Sequence, residues 1–65
     1  MSYAEAKEIA LMRIELRVCW SRGDIDGANA ALEGLARHAA EDLDIAAETR
    51  RWAVKLAALE DLARA

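Results

Sequence analysis

Residues 2–20 read SYAEAKEIALMRIELRVCW, and this stretch decides the fold. Ser2 followed three residues later by Glu5 is a capping box, which marks the start of a helix. When successive residues are placed about 100° apart, apolar side chains form two stripes on nearly opposite sides. The first stripe comprises Ile9, Met12, Leu16, Cys19 and Trp20, and the second comprises Leu11, Ile14 and Val18. A surface helix normally has one such stripe, so this helix, over about residues 3–21, is predicted to need partners on two sides.

The size of the chain suggests where the second partner comes from. A domain of 65 residues buries only about 60% of the surface of its unfolded chain. We therefore expect the first stripe to face the core and the second to face another copy or a foreign protein. The alternative is that the remaining helices of the same chain cover both stripes. Because small domains usually need a metal, a disulfide or association, we predict a homodimer.

The composition favours an all-α protein. The chain has no proline, three glycines and few strand-forming residues, while alanine, leucine, glutamate and arginine favour helices. Nine basic and twelve acidic residues are interspersed to a net charge of −3, whereas dedicated nucleic-acid binders concentrate positive charge on one face. A single cysteine and a single histidine exclude an intrachain disulfide and a structural zinc site.

The sequence also predicts where in the cell the protein is located. The N-terminus lacks the basic and apolar segments of a secretory signal, and no apolar run approaches the ~20 residues that a bilayer crossing needs. We therefore expect a soluble, cytoplasmic protein.

Residues 21–24 form the clearest break in the helical pattern. Gly23 suits the left-handed residue that follows a helix, and Arg22 complements the negative end of the helix dipole. Asp24 can cap the next helix, with Asp26 in its first turn. Because the turn is short, helices 1 and 2 are predicted to be antiparallel neighbours.

Helix 2 is predicted over about residues 24–41. Its apolar stripe comprises Ile25, Ala28, Leu32, Leu35, Ala36 and Ala39, and the opposite side carries Gly27, Ala30, Ala31, Gly34 and His38. Each helical glycine costs ~1 kcal/mol relative to alanine. We interpret the two glycines as tolerated on a solvated face; the alternative is that they let another helix approach closely.

The segment from Gly23 to Ala36 resembles the turn and second helix of a tetratricopeptide hairpin. This resemblance implies an antiparallel pair of helices and covers about a fifth of the chain. The matching residues are Gly23, Asp24, Ala28, Leu32 and Leu35. The first-helix pattern of that family is missing at Glu15 and Leu16, and no second repeat follows. We interpret the likeness as a shared hairpin geometry.

Helix 3 has no glycine or proline before it, so its start is predicted from periodicity. The apolar stripe of residues 45–63 would lie roughly 180° from that of helix 2 if one helix continued. We therefore predict a break within residues 41–44, with Asp42 or Asp44 as the cap, and a third helix over about residues 44–64. The whole chain, 1–65, would be one helical domain: a hairpin plus a third helix. The alternative is one helix of about forty residues in an extended dimer.

Candidate chemistry is sparse. His38 with nearby carboxylates is the one cluster that resembles a metal or acid–base site, and we interpret it as a solvated helix junction. Cys19 lies on an apolar stripe, which predicts an inert buried thiol rather than a nucleophile. Isolated glycines and serines at helix ends form neither a phosphate loop nor a catalytic triad. We therefore predict no catalytic residue, no cofactor and no resident metal.

The function predicted is that of a small non-enzymatic adaptor, inhibitor or regulatory subunit that docks through an apolar helix face. The predicted interface residues are Leu11, Ile14, Val18, Trp52 and Leu62. One alternative is a nucleic-acid-associated regulator that uses Arg13, Arg17, Arg50 and Arg51. A variant is an inhibitor that mimics nucleic acid through Glu41, Asp42, Asp44 and Glu48. A last alternative is a small metal-binding bundle.

Overall fold

The computed structural model describes residues 1–64 and contains three α-helices. They are α1 (Tyr3–Arg22), α2 (Ile25–Ala36) and α3 (Leu43–Arg64). No strand occurs within these 64 residues, which confirms the all-helical prediction. The Cα atoms span 42 × 19 × 13 Å, so the molecule is an elongated, thin slab. None of the three helices combines the length and the apolar character that crossing a bilayer requires.

The predicted caps set the ends of α1. The Ser2 hydroxyl accepts a hydrogen bond from the Glu5 N–H at 3.1 Å, and the Glu5 carboxylate accepts one from the Ser2 N–H at 3.5 Å. Gly23 has φ +70°, and its N–H donates to the carbonyl of Trp20. The Asp24 carboxylate then accepts from the Gly27 N–H at 3.0 Å and starts α2. These bonds satisfy helix-end groups and reverse the chain within two residues.

Helix α2 ends at Ala36, five residues before the predicted end. Residues 37–41 form turns in which N–H groups bond to carbonyls three residues back. The turn ends at Asp42, whose carboxylate accepts from the N–H groups of Asp44 and Ile45. This cap starts α3 at Leu43, one residue earlier than predicted, and the alternative single long helix does not form. The early end of α2 gives the chain room to turn back, so that the stripe of α3 reaches the same core.

Helix α2 lies between the two long helices. It packs against both α1 and α3, whereas within residues 1–64 no Cα atom of α1 lies within 8 Å of a Cα atom of α3. Within one chain, therefore, α2 and not α1 is the helix with partners on two sides. Its buried residues are mostly small: Ala28, Ala31, Gly34 and Leu35.

The core contains residues of all three helices. They are Ile9, Leu16 and Cys19 of α1, Ala28, Ala31 and Leu35 of α2, and Ile45 and Leu56 of α3. The helical glycines face this core, and the prediction of a solvated glycine face is wrong. A Cβ atom on Gly34 would lie 2.7 Å from Sδ of Met12, and one on Gly27 would lie 2.9 Å from Sγ of Cys19. Gly34 therefore lets α1 and α2 approach closely, because a side chain there would press against Met12 of α1, whereas a side chain at Gly27 would first meet the capping carboxylate of Asp24 and then Cys19.

Candidate functional site

The outer face of α1 carries an apolar stripe that residues 1–64 leave exposed. Leu11, Ile14 and Val18 are 51%, 57% and 45% exposed. Their spacing of three and then four residues is that of the seam between helices in a coiled coil. On the other side of the helix, Ile9, Leu16 and Cys19 are buried in the core. We call Leu11, Ile14 and Val18 the α1 stripe.

A second surface lies between α1 and α3, where two tryptophans meet. The ring centroids of Trp20 and Trp52 are 5.9 Å apart and their planes are inclined by 71°, a T-shaped pair. Nζ of Lys55 lies 4.9 Å from the Trp52 ring centroid, which is within range of a cation–π interaction. These residues, with Arg17, Glu48 and Arg51, line a groove of about 320 Å³ that we call the tryptophan groove.

The tryptophan groove is positively charged in a chain whose net charge is −3. Its one carboxylate, Glu48, is already paired: Nε of Arg13 donates to both Glu48 oxygens, at 2.8 and 3.1 Å. Arg17, Arg51 and Lys55 form no ion pair within residues 1–64. The groove therefore presents three cations without partners beside two indole rings.

The four arginines predicted to contact nucleic acid do not form one surface. Arg17 and Arg51 both line the tryptophan groove, while Arg13 is held by Glu48. Arg50 is exposed and is not among the residues that line the groove. A continuous strip of phosphate-binding side chains is therefore not formed by these four residues of one chain.

The other two predicted interface residues lie apart from the α1 stripe. Trp52 is half-buried and packs against both Trp20 and the core. Leu62 is exposed near the end of α3, on the helix that also exposes Val54. The periodicity of α3 identified this surplus apolar surface, but it carried no information about its distance from α1.

The predicted junction around His38 is organised by an unpredicted residue of α1. Nε2 of His38 is buried, lies 3.4 Å from a carboxylate oxygen of Glu8 and makes no hydrogen bond. Asp42 caps α3 and Glu48 binds Arg13, so two of the candidate carboxylates have structural partners. In the part of the chain that the structure describes, no group of three or more histidine, cysteine or acidic side chains is placed to hold a metal.

Another cavity, of about 570 Å³, lies between the α1–α2 turn and the end of α3. Acidic side chains of Asp24, Asp26 and Glu60 line it. Asp24 caps α2, and Glu60 accepts a hydrogen bond from the Asn29 amide at 2.9 Å. Two of these three carboxylates thus hold helices in place, which is a structural role.

Cys19 is placed as an unreactive thiol. Burial raises its pKa, and the carboxylates of Asp24 and Glu15 raise it further, against a smaller opposite effect of Arg22. The thiol therefore stays protonated at neutral pH, and the protonated form is a poor nucleophile. His38 lies beside Glu8. Glu8 is eleven residues from Cys19 on α1, which corresponds to about 16 Å along the helix. Cys19 and His38 therefore cannot act as a nucleophile and its base.

We expect Cys19 to react with an aromatic disulfide reagent at least about tenfold more slowly in the folded chain than in urea at the same pH. The absorbance of the released thiolate measures both rates, and the pH dependence of the folded rate should show a raised pKa. Equal rates in the two states would contradict a buried, protonated thiol.

The described residues thus offer two surfaces for binding, the apolar α1 stripe and the cationic tryptophan groove. His38 lies beside the carboxylate of Glu8, and Cys19 is not adjacent to that pair. No known protein family, characterised protein or solved structure matches this chain. The α1 stripe and the tryptophan groove are therefore the features of this chain that bear on its function.

Proposed function

We propose that this chain is a non-enzymatic protein-interaction module that self-associates through the α1 stripe and acts by docking to proteins. The observation that carries the proposal is the exposure of Leu11, Ile14 and Val18 on a helix whose other face is fixed in the core. Covering apolar surface is favourable by about 25 cal/mol per Å². A partner helix with its own apolar seam would cover all three side chains at once.

A second copy of the same chain is the occupant that the apolar seam favours. Antiparallel pairing about Ile14 brings like edges of α1 together in reverse order, so Arg22 of one copy approaches Glu8 of the other. Glu15 lies at the middle of the same edge and faces Glu15 of the other copy, so the attraction at the ends is offset by repulsion at the centre. A chain of this size also gains stability by association, because its core holds few residues. The second copy therefore supplies a matching apolar seam.

The proposal is tested by replacing Ile14 with aspartate and measuring mass by sedimentation equilibrium at micromolar concentration. The unmodified chain is expected to sediment at twice its mass of 7.1 kDa. Ile14→Asp is expected to raise the dimer dissociation constant at least about tenfold, because it places a charge in an apolar seam. Helix content by circular dichroism should be unchanged, since Ile14 is exposed in the monomer.

Val54→Asp is the matched control, because it makes the same kind of change on the exposed face of α3. This variant is expected to remain dimeric. A monomeric unmodified chain would end the proposal. Loss of the helical signal in Ile14→Asp, with no dimer to dissociate, would show instead that Ile14 belongs to the core.

A further inference from the structure

Both tryptophans of the chain lie in the tryptophan groove. Trp52 is half-buried and packs against the core, whereas Trp20 keeps 38% of its surface exposed. Their planes are inclined by 71°, so the two indole rings form a corner rather than a parallel stack. The groove, of about 320 Å³, is at the lower end of the size range of ligand sites. The corner therefore has room for one large apolar side chain.

The cations of the groove come from both long helices. Arg17 belongs to α1, and Arg51 and Lys55 belong to α3, where they are four residues apart. Like charges at this spacing lie on the same side of a helix and repel each other. All three side chains are exposed, and within residues 1–64 none of them forms an ion pair. A bound anion would replace this repulsion by attraction to both helices.

The groove stays open when two copies pair through the α1 stripe. Trp20 is two residues from Val18, which places the two side chains roughly 160° apart around α1. A second copy seated on the α1 stripe therefore lies on the other side of the helix from the indole rings. Each groove is then free to bind a further molecule.

We propose that the tryptophan groove binds an acidic segment of another protein, and that this segment inserts one large apolar side chain between the indole rings. The apolar side chain covers the exposed ring of Trp20. Carboxylates that flank it along the segment pair with Arg17, Arg51 and Lys55. The inference goes beyond the proposed function, because it assigns a ligand to a second surface and does not require the dimer.

Nucleic acid fits the groove less well than an acidic protein segment does. Duplex DNA carries one phosphate charge about every 1.7 Å of its axis, whereas the groove offers three cations that have no partner in the described part of the chain. The remaining phosphates would meet a chain with a net charge of −3, and at 0.1 M salt their repulsion acts over about 10 Å. A short acidic segment brings few charges beyond those that the groove neutralises.

The test follows tryptophan fluorescence, because both fluorophores lie in the groove. The probe is a short capped peptide of glutamates with one central leucine. We expect saturable binding that shifts the tryptophan emission to shorter wavelength and that weakens at least about fivefold between 0.05 M and 0.5 M salt. Replacing the leucine by alanine should weaken binding about tenfold, and replacing the glutamates by glutamines at least about tenfold.

Arg51→Glu is expected to raise the peptide dissociation constant at least about tenfold, because it opposes like charges. Arg50→Glu is the matched control, since it makes the same change at the adjacent exposed residue, which does not line the groove. This control should stay within about threefold of the unmodified chain. Arg51→Glu combined with Lys55→Glu should instead bind the corresponding lysine peptide. Circular dichroism should show every variant folded.

Absence of an emission shift at about 1 mM peptide overturns the inference. Equal weakening by Arg50→Glu and Arg51→Glu also overturns it, because that result indicates attraction without a defined site. A single-stranded oligothymidylate that binds more tightly than the peptide would make the groove a nucleic-acid site instead.

Ile14→Asp separates this inference from the proposed function. One chain forms the whole groove, so the monomeric variant should bind the peptide as the unmodified chain does. A chain that does not self-associate but binds the peptide refutes the proposed dimer alone. A dimer that ignores the peptide refutes the groove ligand alone.

Discussion

Replacement of Leu35 by alanine is expected to lower the free energy of unfolding by about 3 kcal/mol. Leu35 is completely buried on α2, the helix that packs against both long helices. The substitution removes apolar contacts and leaves a cavity. The helices on either side of α2 cannot both move inward to fill this cavity. A domain of this length has a total stability of only roughly 3–10 kcal/mol. The variant should therefore keep a stability of only roughly 0–7 kcal/mol, and it would be largely unfolded at 37 °C if the unmodified chain lies at the lower end of its range.

Urea denaturation followed by circular dichroism checks this value, at one fixed chain concentration because association contributes to apparent stability. Leu62→Ala is the control, since it makes the same change at an exposed position of α3. That control should change the stability by no more than about 0.5 kcal/mol. Equal effects of the two substitutions would mean that α2 is not packed between α1 and α3.

Gly34→Leu is expected to destabilise the fold by about 1–3 kcal/mol, although leucine is the better helix former by up to about 1 kcal/mol. The reason is steric: the first carbon of any side chain at this buried position would lie 2.7 Å from Sδ of Met12. The remaining carbons of leucine would push α1 away from α2. The melting temperature and the urea midpoint should both fall.

Two further substitutions distinguish the steric effect of Gly34→Leu from its effect on helix propensity. Ala30→Leu adds a side chain at an exposed position of the same helix and should be within about 0.5 kcal/mol of neutral. Met12→Ala combined with Gly34→Leu should cost less than the sum of the two single changes, because it removes the colliding thioether. Additive effects would show that Met12 and position 34 do not contact each other.

Local features of the fold could be read from the sequence. Capping at Ser2 and Asp24 and the left-handed Gly23 depend on residues close in the chain, and all three occur where the pattern placed them. The opposed stripes of α1 could be read as well, because a helix fixes the angle between its own side chains.

How the helices pack against one another could not be predicted from the sequence. An apolar pattern gives no weight to glycine, so it predicts a solvated position for Gly34, whereas Gly34 is buried against Met12 of α1. The pairing of Arg13 with Glu48 joins residues 35 positions apart, and no periodicity predicts a contact of that separation. The end of α2 at Ala36 likewise depends on tertiary packing, because no glycine or proline follows it.

Helix α2 packs against both long helices. No Cα atom of α1 (Tyr3–Arg22) comes within 8 Å of one of α3 (Leu43–Arg64), and these helices meet only through side chains such as Trp20 and Trp52, so the side chains of α2 help to set their separation. The buried side chains of Ala28 and Ala31 are among them. Adding even two methyl groups at either alanine is expected to move α1 and α3 apart and to widen the tryptophan groove between them. Residues that do not line this groove would then change its shape.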